Sequence, residues 1–454
     1  MSAILSTDFR TLNASNFVTN ITSSDDYVYI GVGKADPWDP TLSGTDETIQ
    51  TPQNTQAYFS EAYRNLMGIV KVTTDKISHV VVRYDYTEGL SDWVAWDNNS
   101  STIFDSKFYC LTDQSRVYKL LSVGTGASNN KPQHTTVDPV EEADGYIWKY
   151  MYTVQADEQV SFETTNFMSV QTAVAGGTGT ELARYDYQQE SAGITGAANN
   201  VKGITGVKII AGGSGYINTG AVTLPIEGNG TGGEIEYVVT GQAVTSVTVT
   251  NAGTGYDVAS VTIPDGQGAK IEFTIAPGHG HGTDPVAELG GRYVLVNAQL
   301  DGSGGGDLTI DNDFRQLTLI KNPIESDGVT PATLSTYNPV QAVIAATPAS
   351  VSSLSTSEYI TGNSSGAIAY VIATNASTGY IYYTQNSKTG YDVFDDGETI
   401  TGAQTGAVTL ATPALATDVP EIKLNSGEIM LVDNIAPVTR GNNQTEDVKM
   451  VIEF

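Results

Sequence analysis

A segment that is repeated within the chain limits the folds that are open to it. The first copy, VKIIAGGSGYINTGAVTLP, spans residues 207–225, and the second, VTVTNAGTGYDVASVTIP, spans residues 247–264. Both place Gly-x-Gly-Tyr between runs of β-branched residues, which favour strands. The similarity continues in EIEYVVT at 234–240 and KIEFTIA at 270–276. Each copy is therefore predicted to form three short strands joined by glycine-rich turns.

The glycines of this repeat are predicted to form turns and not to bind a nucleotide. A dinucleotide-binding loop needs Gly-x-Gly-x-x-Gly between a strand and a helix, whose N-terminus meets the pyrophosphate. Strand-forming residues, and no helix, follow Gly215 and Gly255. Positive φ angles in hairpin turns explain these glycines, and Tyr216 and Tyr256 are expected to pack over the turns.

A second, different repeat lies further along the chain. YITGNSSGAIAYVIA begins at Tyr359, and TITGAQTGAVTLATP begins at Thr399. Two copies of each repeat cannot close a β-propeller, which typically needs about four to eight blades. Because low-charge Gly, Ser, Thr and Pro residues flank both repeats, we predict two small all-β modules inserted into a larger chain.

The rest of the chain combines strand patterns with a few helices. TPQNTQAYFSEAYRNLMG predicts a helix capped by Thr51, with Pro52 at its first position and Gly68 at its end. A weaker helix is expected after Ser6 or Thr7. Strands are predicted at DYVYIGVGK, GIVKVT, SHVVVRY, KFYCLT and GYIWKYMYTV. In the last of these, alternation places one row of side chains on a shared face: Tyr146, Trp148, Tyr150, Tyr152 and Val154.

The fold class that follows is mainly β (α+β). At 454 residues the chain is too long for a single core, so we predict a multi-domain β-sandwich-like core with a few short helices and two inserted β-repeat modules. The predicted parts are an N-terminal α+β part at 1–184, an inserted glycine-rich domain at 185–285, a core segment at 286–345, a second inserted module at 346–418, and C-terminal strands at 419–454.

Charge and composition narrow the possible partners. The chain has 51 acidic against 22 basic side chains, a net charge of −29. Such a surface repels phosphate backbones, so we expect neither nucleic acid nor an anionic membrane as a partner. The N-terminus lacks a signal-peptide pattern, and no apolar run reaches the ~20 residues of a membrane span. The single cysteine, Cys110, excludes an internal disulfide.

Metal sites receive little support from the sequence. GHGHGTDP holds the weak candidates His279, His281 and Asp284, but zinc needs three or four ligands and a supporting outer shell. The spacing in DGSGGGDLTIDND fits no calcium-binding loop, although that stretch offers several carboxylates: Asp301, Asp307, Asp311 and Asp313. We therefore predict no metal and no cofactor.

Catalytic signatures are also absent from the sequence. Neither Gly-x-Ser-x-Gly nor His-Glu-x-x-His occurs, and we predict no catalytic residue. An enzyme that cleaves polysaccharide with a pair of carboxylates remains an alternative, because carboxylates are abundant in the sequence. A receptor- or glycan-binding protein is a further alternative, in which tyrosines of the repeats would stack on sugars: Tyr216, Tyr256, Tyr359, Tyr380, Tyr382, Tyr383 and Tyr391.

Several segments resemble one known family. They are VGKADPWDP, NLMGIVKV, DGYIWKYMYTV, NDFRQLTLIKNPIE at 312–325, and SGEIMLVDNIAPVTRGNNQTEDVKMVIEF at 426–454. In this order they resemble the baseplate wedge subunit of T-even-type contractile-tailed bacteriophages, the gene-eight product family. The resemblance covers roughly residues 9–172, 286–345 and 420–454. The two inserts resemble β-repeat segments of marine and cyanobacterial myoviruses.

The resemblance implies a structural role. Family members are dimeric, non-enzymatic parts of the wedges around the tail hub, next to other wedge subunits and to subunits that carry tail fibres. It therefore implies a virion location in the tail baseplate after assembly in the host cytoplasm. The candidate assembly residues are Asp36, Pro37 and Trp38 of the acidic-Pro-Trp turn, together with Arg315 and Trp148.

Overall fold

The computed structural model describes residues 4–22, 26–39, 41–42, 48–193, 201–301, 312–439 and 444–454. Strands predominate over helices in these residues, which confirms the mainly β prediction. The chain forms two compact units. One contains Met1–Asn16, Ser78–Leu295 and Val451–Phe454, and the other contains Phe17–Ile77 and Val296–Met450. We call them the first and second unit.

The structure has five α-helices among its described residues: α1 (Thr7–Thr22), α2 (Gln56–Arg64), α3 (Ala156–Phe162), α4 (Thr180–Gly193) and α5 (Pro285–Leu289). The strands are β1 (Val28–Gly33), β2 (Leu66–Lys71), β3 (Ile77–Val82), β4 (Tyr109–Leu111), β5 (Arg116–Ser122), β6 (Val140–Glu141), β7 (Ile147–Thr153), β8 (Phe167–Ser169), β9 (Ile204–Ser214), β10 (Thr219–Pro225), β11 (Glu227–Gly228), β12 (Thr231–Thr240), β13 (Ala243–Thr254), β14 (Ala259–Ser260), β15 (Gln267–Ile275), β16 (Tyr293–Asp301), β17 (Asp313–Lys321), β18 (Thr336–Tyr337), β19 (Gln341–Ala345), β20 (Tyr359–Gly362), β21 (Ile368–Asn375), β22 (Tyr380–Thr384), β23 (Thr399–Gly402), β24 (Ala407–Leu415), β25 (Glu428–Thr439) and β26 (Thr445–Glu453). None of the described helices is long and apolar enough to cross a membrane.

Helix α2 exists as predicted, but its predicted ends are wrong. Its N-cap is Thr55, whose hydroxyl oxygen accepts a hydrogen bond of 3.2 Å from the backbone N–H of Tyr58. The predicted cap, Thr51, lies before the helix. Gly68 falls in β2, where it pairs with Val32 of β1. Tertiary strand pairing has therefore ended the helix earlier than its apolar pattern predicts.

The second unit is built on a five-stranded antiparallel sheet with the order β18-β2-β1-β17-β25. Every residue of β1 is buried, and so are the seven central residues of β17. Tyr29, Tyr63, Ile69 and Ile320 form part of its apolar core. Both faces of residues 28–33 and 314–320 are therefore buried.

The second repeat forms a closed six-stranded barrel in the order β19-β22-β21-β20-β23-β24. Two glutamates forty positions apart tie its halves together. Glu358 accepts hydrogen bonds from the backbone N–H of Gln404 (2.9 Å) and from Thr405, in the second copy. Glu398 accepts them from the backbone N–H groups of Ser364 (2.9 Å) and Ser365 (3.1 Å), in the first copy. Each copy therefore holds the turn of the other.

The first unit contains a sheet with the order β4-β5-β7-β6. The alternation predicted for β7 fails beyond Tyr150, because the register with β5 shifts between Tyr150 and Tyr152. Trp148 packs with Tyr118 and Tyr146, whereas Tyr152 packs in another cluster with Met151. A β-bulge at this point redirects the side chains.

The first repeat lies within the first unit as β9 to β15. Gly213 and Gly253, the first glycines of the two Gly-x-Gly-Tyr motifs, have the predicted positive φ angles, at 67° and 59°. They lie near the ends of β9 and β13, however, and not in turns between strands. Tyr256 is buried, and its hydroxyl accepts a hydrogen bond of 3.0 Å from Gly233 N–H. The hydroxyl of Tyr216 likewise accepts from Ala269 N–H at 3.1 Å.

The two ends of this repeat lie side by side. The backbone N–H of Ala276 donates to the carbonyl of Gly203 at 2.9 Å, and that of Lys202 donates to the carbonyl of Pro277 at 3.3 Å. The chain therefore enters and leaves the repeat module through one pair of adjacent strands.

Candidate functional site

The acidic-Pro-Trp turn follows β1 and is centred on a buried carboxylate. Asp36 is fully buried, and its Oδ1 accepts hydrogen bonds from Lys34 Nζ at 2.7 Å and from Asn386 Nδ2 at 3.0 Å. Lys388 Nζ lies 3.1 Å from Oδ2. Burial opposes ionisation of Asp36, but attraction to Lys34 and Lys388 is stronger in sum and holds its pKa below the ordinary value.

Other predicted residues support this turn from inside the second unit. The indole N–H of Trp38 donates to the carbonyl of Ile435 at 3.2 Å, and Trp38 is 7% exposed. Arg315 donates to the carbonyl of Ala35, next to Asp36. Pro37 is half-buried. The structure therefore brings together four of the five predicted assembly residues, and Pro37 is the most accessible of the four.

A polar cavity of about 490 Å³ opens beside the turn. Lys34, Trp38 and Lys388 line one part of it, and Tyr58 and Glu61 of α2 line another. Glu61 accepts a hydrogen bond of 2.8 Å from the hydroxyl of Ser387. The cavity thus combines two aromatic side chains with charges of both signs, which suits a polar segment of another molecule better than an apolar one.

Trp148, the fifth predicted assembly residue, lies in the core of the first unit. Its side chain is fully buried, and its ring meets that of Trp93 edge-on, with 5.7 Å between centroids. Tyr146 stacks on it at 6.3 Å. The ring therefore contacts the chain's own residues, and a role for Trp148 in assembly stays a prediction.

A second buried ionic cluster, in the first unit, was not predicted. Lys119 Nζ lies 2.8 Å from Glu288 Oε2 and 4.0 Å from the centroid of the Trp96 ring. Glu288 also accepts backbone N–H groups of the preceding loop, including Gly282 at 2.8 Å and Thr283 at 2.9 Å. Burial disfavours the ionised form of Glu288, but Lys119 and His281 together outweigh burial, so the pKa of Glu288 is lowered.

Lys149 lies directly opposite Lys119 in the β5–β7 pairing. Its ammonium donates to Ser191 Oγ at 3.1 Å and to the carbonyl of Val137. Burial lowers the pKa of Lys149 to about 8. The sequence signal for this cluster is a lysine at the centre of each of two apolar strands, β5 and β7. The carboxylate that pairs with Lys119, Glu288, lies far along the chain.

The three weak metal candidates have different surroundings. His279 is exposed, whereas His281 is fully buried with its Nδ1 3.8 Å from Glu288 Oε2. Asp284 caps α5 by accepting the N–H of Ala287 at 3.1 Å. In the described part of the chain, no group of three or more His, Cys, Asp or Glu residues is placed to hold a metal.

Two further predictions can be located in part. Among the aspartates considered as cation ligands, Asp313 forms an ion pair with Arg315 at 3.1 Å. Asp307 and Asp311 lie outside the described residues. Of the tyrosines weighed as sugar platforms, Tyr256 is 1% and Tyr383 is 3% exposed. These two rings are therefore inaccessible to a glycan.

Comparison with known proteins gives one informative relative. The chain is 23% identical to baseplate wedge protein gp8 of Enterobacteria phage T4 over 201 residues, which cover 37% of this chain and 60% of the relative. The chain therefore spans less than two thirds of the length of that relative. No family model matches the chain.

Proposed function

We propose that the protein is a structural subunit of the tail baseplate wedge of a contractile-tailed bacteriophage. In this role it forms a homodimer, assembles with other wedge subunits and with proteins that connect the tail fibres, and takes part in the host-triggered rearrangement of the baseplate. It joins the virion after assembly in the host cytoplasm. The similarity to baseplate wedge protein gp8 over 201 residues carries this proposal.

The electrostatics of the interior are consistent with a structural role. Asp36 and Glu288 are 0% and 4% exposed, and each is bonded to a lysine. Such saturated buried ion pairs fix a conformation and leave the carboxylates without access to a substrate. In this proposal the Asp36 turn is a rigid platform, and Pro37 with the neighbouring cavity forms the accessible part of an assembly surface.

The proposal is tested on purified tail particles of the virus. We expect mass spectrometry to find the protein at a fixed ratio to the other tail proteins, and antibodies against it to label the end of the tail distal to the head. A virus that carries a stop codon early in this gene should produce tails without a complete baseplate. Absence of the protein from tail particles contradicts the proposal.

The assembly surface has a separate test. Asp39 and Glu61 line the cavity beside the turn, so the double substitution Asp39→Lys/Glu61→Lys reverses charge there without touching Asp36. We expect it to weaken co-assembly with wedge proteins by tenfold or more. The matched control is Glu88→Lys/Asp186→Lys, at two exposed acidic residues of the first unit. Equal assembly of both variants contradicts a role for this surface.

A further inference from the structure

Strand β25 is an apolar strand that the described chain covers only in part. Its sequence, EIMLVDNIAPVT, is as apolar as that of the central strands, yet none of its twelve residues is buried. Its partner β17 has seven consecutive buried residues. A strand of this composition normally has a buried face, and Met430, at 41% exposed, shows how much apolar surface stays open.

The backbone of β25 is also available for pairing. Among the described residues, β25 is the last strand of its sheet and pairs only with β17. Beyond that pairing, the indole of Trp38 binds the carbonyl of Ile435, and Pro437 has no N–H to donate. The open run is therefore Glu428–Asp433, which has the length of an average strand of about 5–6 residues. An edge of this kind is a template for a strand from another chain.

A groove next to the start of β25 indicates the chemistry of such a strand. The groove has a volume of about 440 Å³ and is lined by Phe59 and Tyr63 of α2, by Glu428 and by Ile429. None of its described lining residues is basic. Aromatic side chains beside an acidic residue form an environment that attracts an ammonium or guanidinium group.

The charges of the open run agree with this chemistry. Glu428 and Asp433 are both exposed, and neither has an ion-pair partner within the described residues. Lys321, opposite Glu428 in the sheet, is paired with Asp26 at 2.7 Å. A basic partner strand would therefore meet two uncompensated carboxylates.

A second copy of the chain is a poorer occupant of this edge. Each copy has a net charge of −29. Antiparallel pairing of Glu428–Asp433 with itself would set Glu428 of one copy opposite Asp433 of the other, and like charges directly opposite each other are destabilising.

We propose that β25 is a docking edge for an extended segment of a neighbouring protein that carries Lys or Arg among apolar residues. The segment adds a strand along Glu428–Asp433 and places one basic side chain in the groove beside Phe59 and Tyr63. This inference deepens the proposed function and relies on it for the presence of neighbouring subunits in the baseplate.

The test uses the full-length protein and two nine-residue peptides, one alternating Lys and Val, the other alternating Glu and Val. Fluorescence anisotropy at 0.15 M salt measures affinity, and hydrogen–deuterium exchange locates binding. We expect the lysine peptide to bind at least tenfold more tightly than the glutamate peptide and to protect the amides of 428–433. In Glu428→Lys/Asp433→Lys the preference should reverse, whereas the control Glu88→Lys/Asp186→Lys should keep it.

Three results would overturn the inference. They are equal affinity for both peptides, protection that spares 428–433, and an isolated dimer in which the 428–433 amides exchange slowly before any peptide is added. The third result would assign the edge to a second copy. Failure of the proposed function is recognised separately, since absence from tail particles would leave the peptide results unchanged.

Discussion

Buried charge is the feature of single residues that most affects stability in this protein. In the first unit Lys119 and Lys149 lie opposite each other on the neighbouring strands β5 and β7. The carboxylate of Glu288 lies between Lys119 and the loop that contains His281. Removing a counter-charge leaves a cation without water or partner, which costs more than the pair contributes. The cluster therefore depends on Glu288.

We predict that Glu288→Gln lowers the free energy of unfolding by about 3–5 kcal/mol, because Lys119 then stays buried without its carboxylate. Urea unfolding followed by tryptophan fluorescence measures this, since Trp93, Trp96 and Trp148 all lie in the first unit. The control Glu181→Gln, at an exposed position of α4, should leave the transition in place. An unchanged midpoint for Glu288→Gln contradicts the prediction.

His281 makes stability depend on pH in a definite direction. Burial is the main reason that the pKa of His281 is lowered to about 4, and the nearby Lys119 and Lys149 lower it further. Attraction to Glu288 acts in the opposite direction but is weaker. The unfolded chain binds this proton below about pH 6.5, whereas the folded chain binds it only below about pH 4. The free energy of unfolding therefore falls as the pH is lowered from about 6.5 to about 4. We expect a loss on the order of 3 kcal/mol over that window.

The substitution His281→Gln tests this pH dependence. The variant removes the titrating group, so its free energy of unfolding should fall less than that of the parent between pH 6.5 and pH 4. Chemical denaturation at half-unit pH steps gives both curves, and His79 and His134 titrate in both proteins alike. Parallel curves would show that His281 does not contribute.

At the scale of elements, glycines set how closely turns approach their neighbours. A Cβ at Gly266 would lie 2.2 Å from the Tyr216 ring, and a Cβ at Gly230 would lie 2.4 Å from the Tyr256 ring. The two positions are equivalent in the two copies of the first repeat. The rings are held by hydrogen bonds, so they cannot move aside without loss.

We predict that Gly266→Ala and Gly230→Ala each destabilise the repeat module by about 1–3 kcal/mol through overpacking. Hydrogen exchange of amides 204–275 measures this local stability. Gly220 is a matched control in the same module, because a Cβ there would meet no atom within 4 Å and its φ is not positive. Gly220→Ala should exchange like the parent, and equal effects at all three positions would refute the packing argument.

The barrel offers a prediction based on its internal symmetry. Glu358→Ala leaves the Gln404 N–H and the Thr405 hydroxyl of the opposite turn without an acceptor, and Glu398→Ala leaves the N–H groups of Ser364 and Ser365 without one. Each orphaned group costs about 1–3 kcal/mol. We expect similar losses for the two variants, measured by exchange of the amides in 359–415. A large loss for one variant alone would show that the two turns are not equivalent in energy.

Strands were easier to predict from the sequence than helices or ionic clusters. Alternation and β-branched residues located β1 to β4 and β7 because these patterns are local. Helices α3, α4 and α5 were not predicted, and α5 has only five residues, too few for a clear 3.6-residue period. The Lys119–Glu288 pair joins positions 169 residues apart, and no local pattern specifies which carboxylate meets a buried lysine.

On the scale of the whole molecule, the strands of both repeats pair with strands that are close in sequence. Among the described residues, β9 to β15 pair only with one another, whereas the barrel adds β19, which precedes the second repeat, to the strands of that repeat. Hydrogen bonds within the described residues tie the first repeat to its own unit, from Asn99 Nδ2 to the carbonyl of Phe273 at 2.9 Å and from Ile275 N–H to Asn98 Oδ1 at 2.7 Å. Insertions at such positions disturb the surrounding fold little.

We therefore predict that deletion of residues 200–278 yields a folded dimer that assembles poorly with other baseplate proteins. Sedimentation velocity measures the oligomer, and sedimentation with wedge proteins measures assembly. The undeleted chain is the control. Failure of the shortened chain to fold would make the repeat part of the core and contradict this prediction.

The adjacent ends of the first repeat affect how the module can be exchanged in evolution and how it can be replaced by protein engineering. Where Lys202 and Pro277 meet, recombination can add, remove or exchange the whole repeat module while the path of the surrounding polypeptide stays the same. A fluorescent protein or an affinity handle grafted at this junction would have both of its ends held at the separation of one strand pair. The junction is thus a suitable position for engineered insertions.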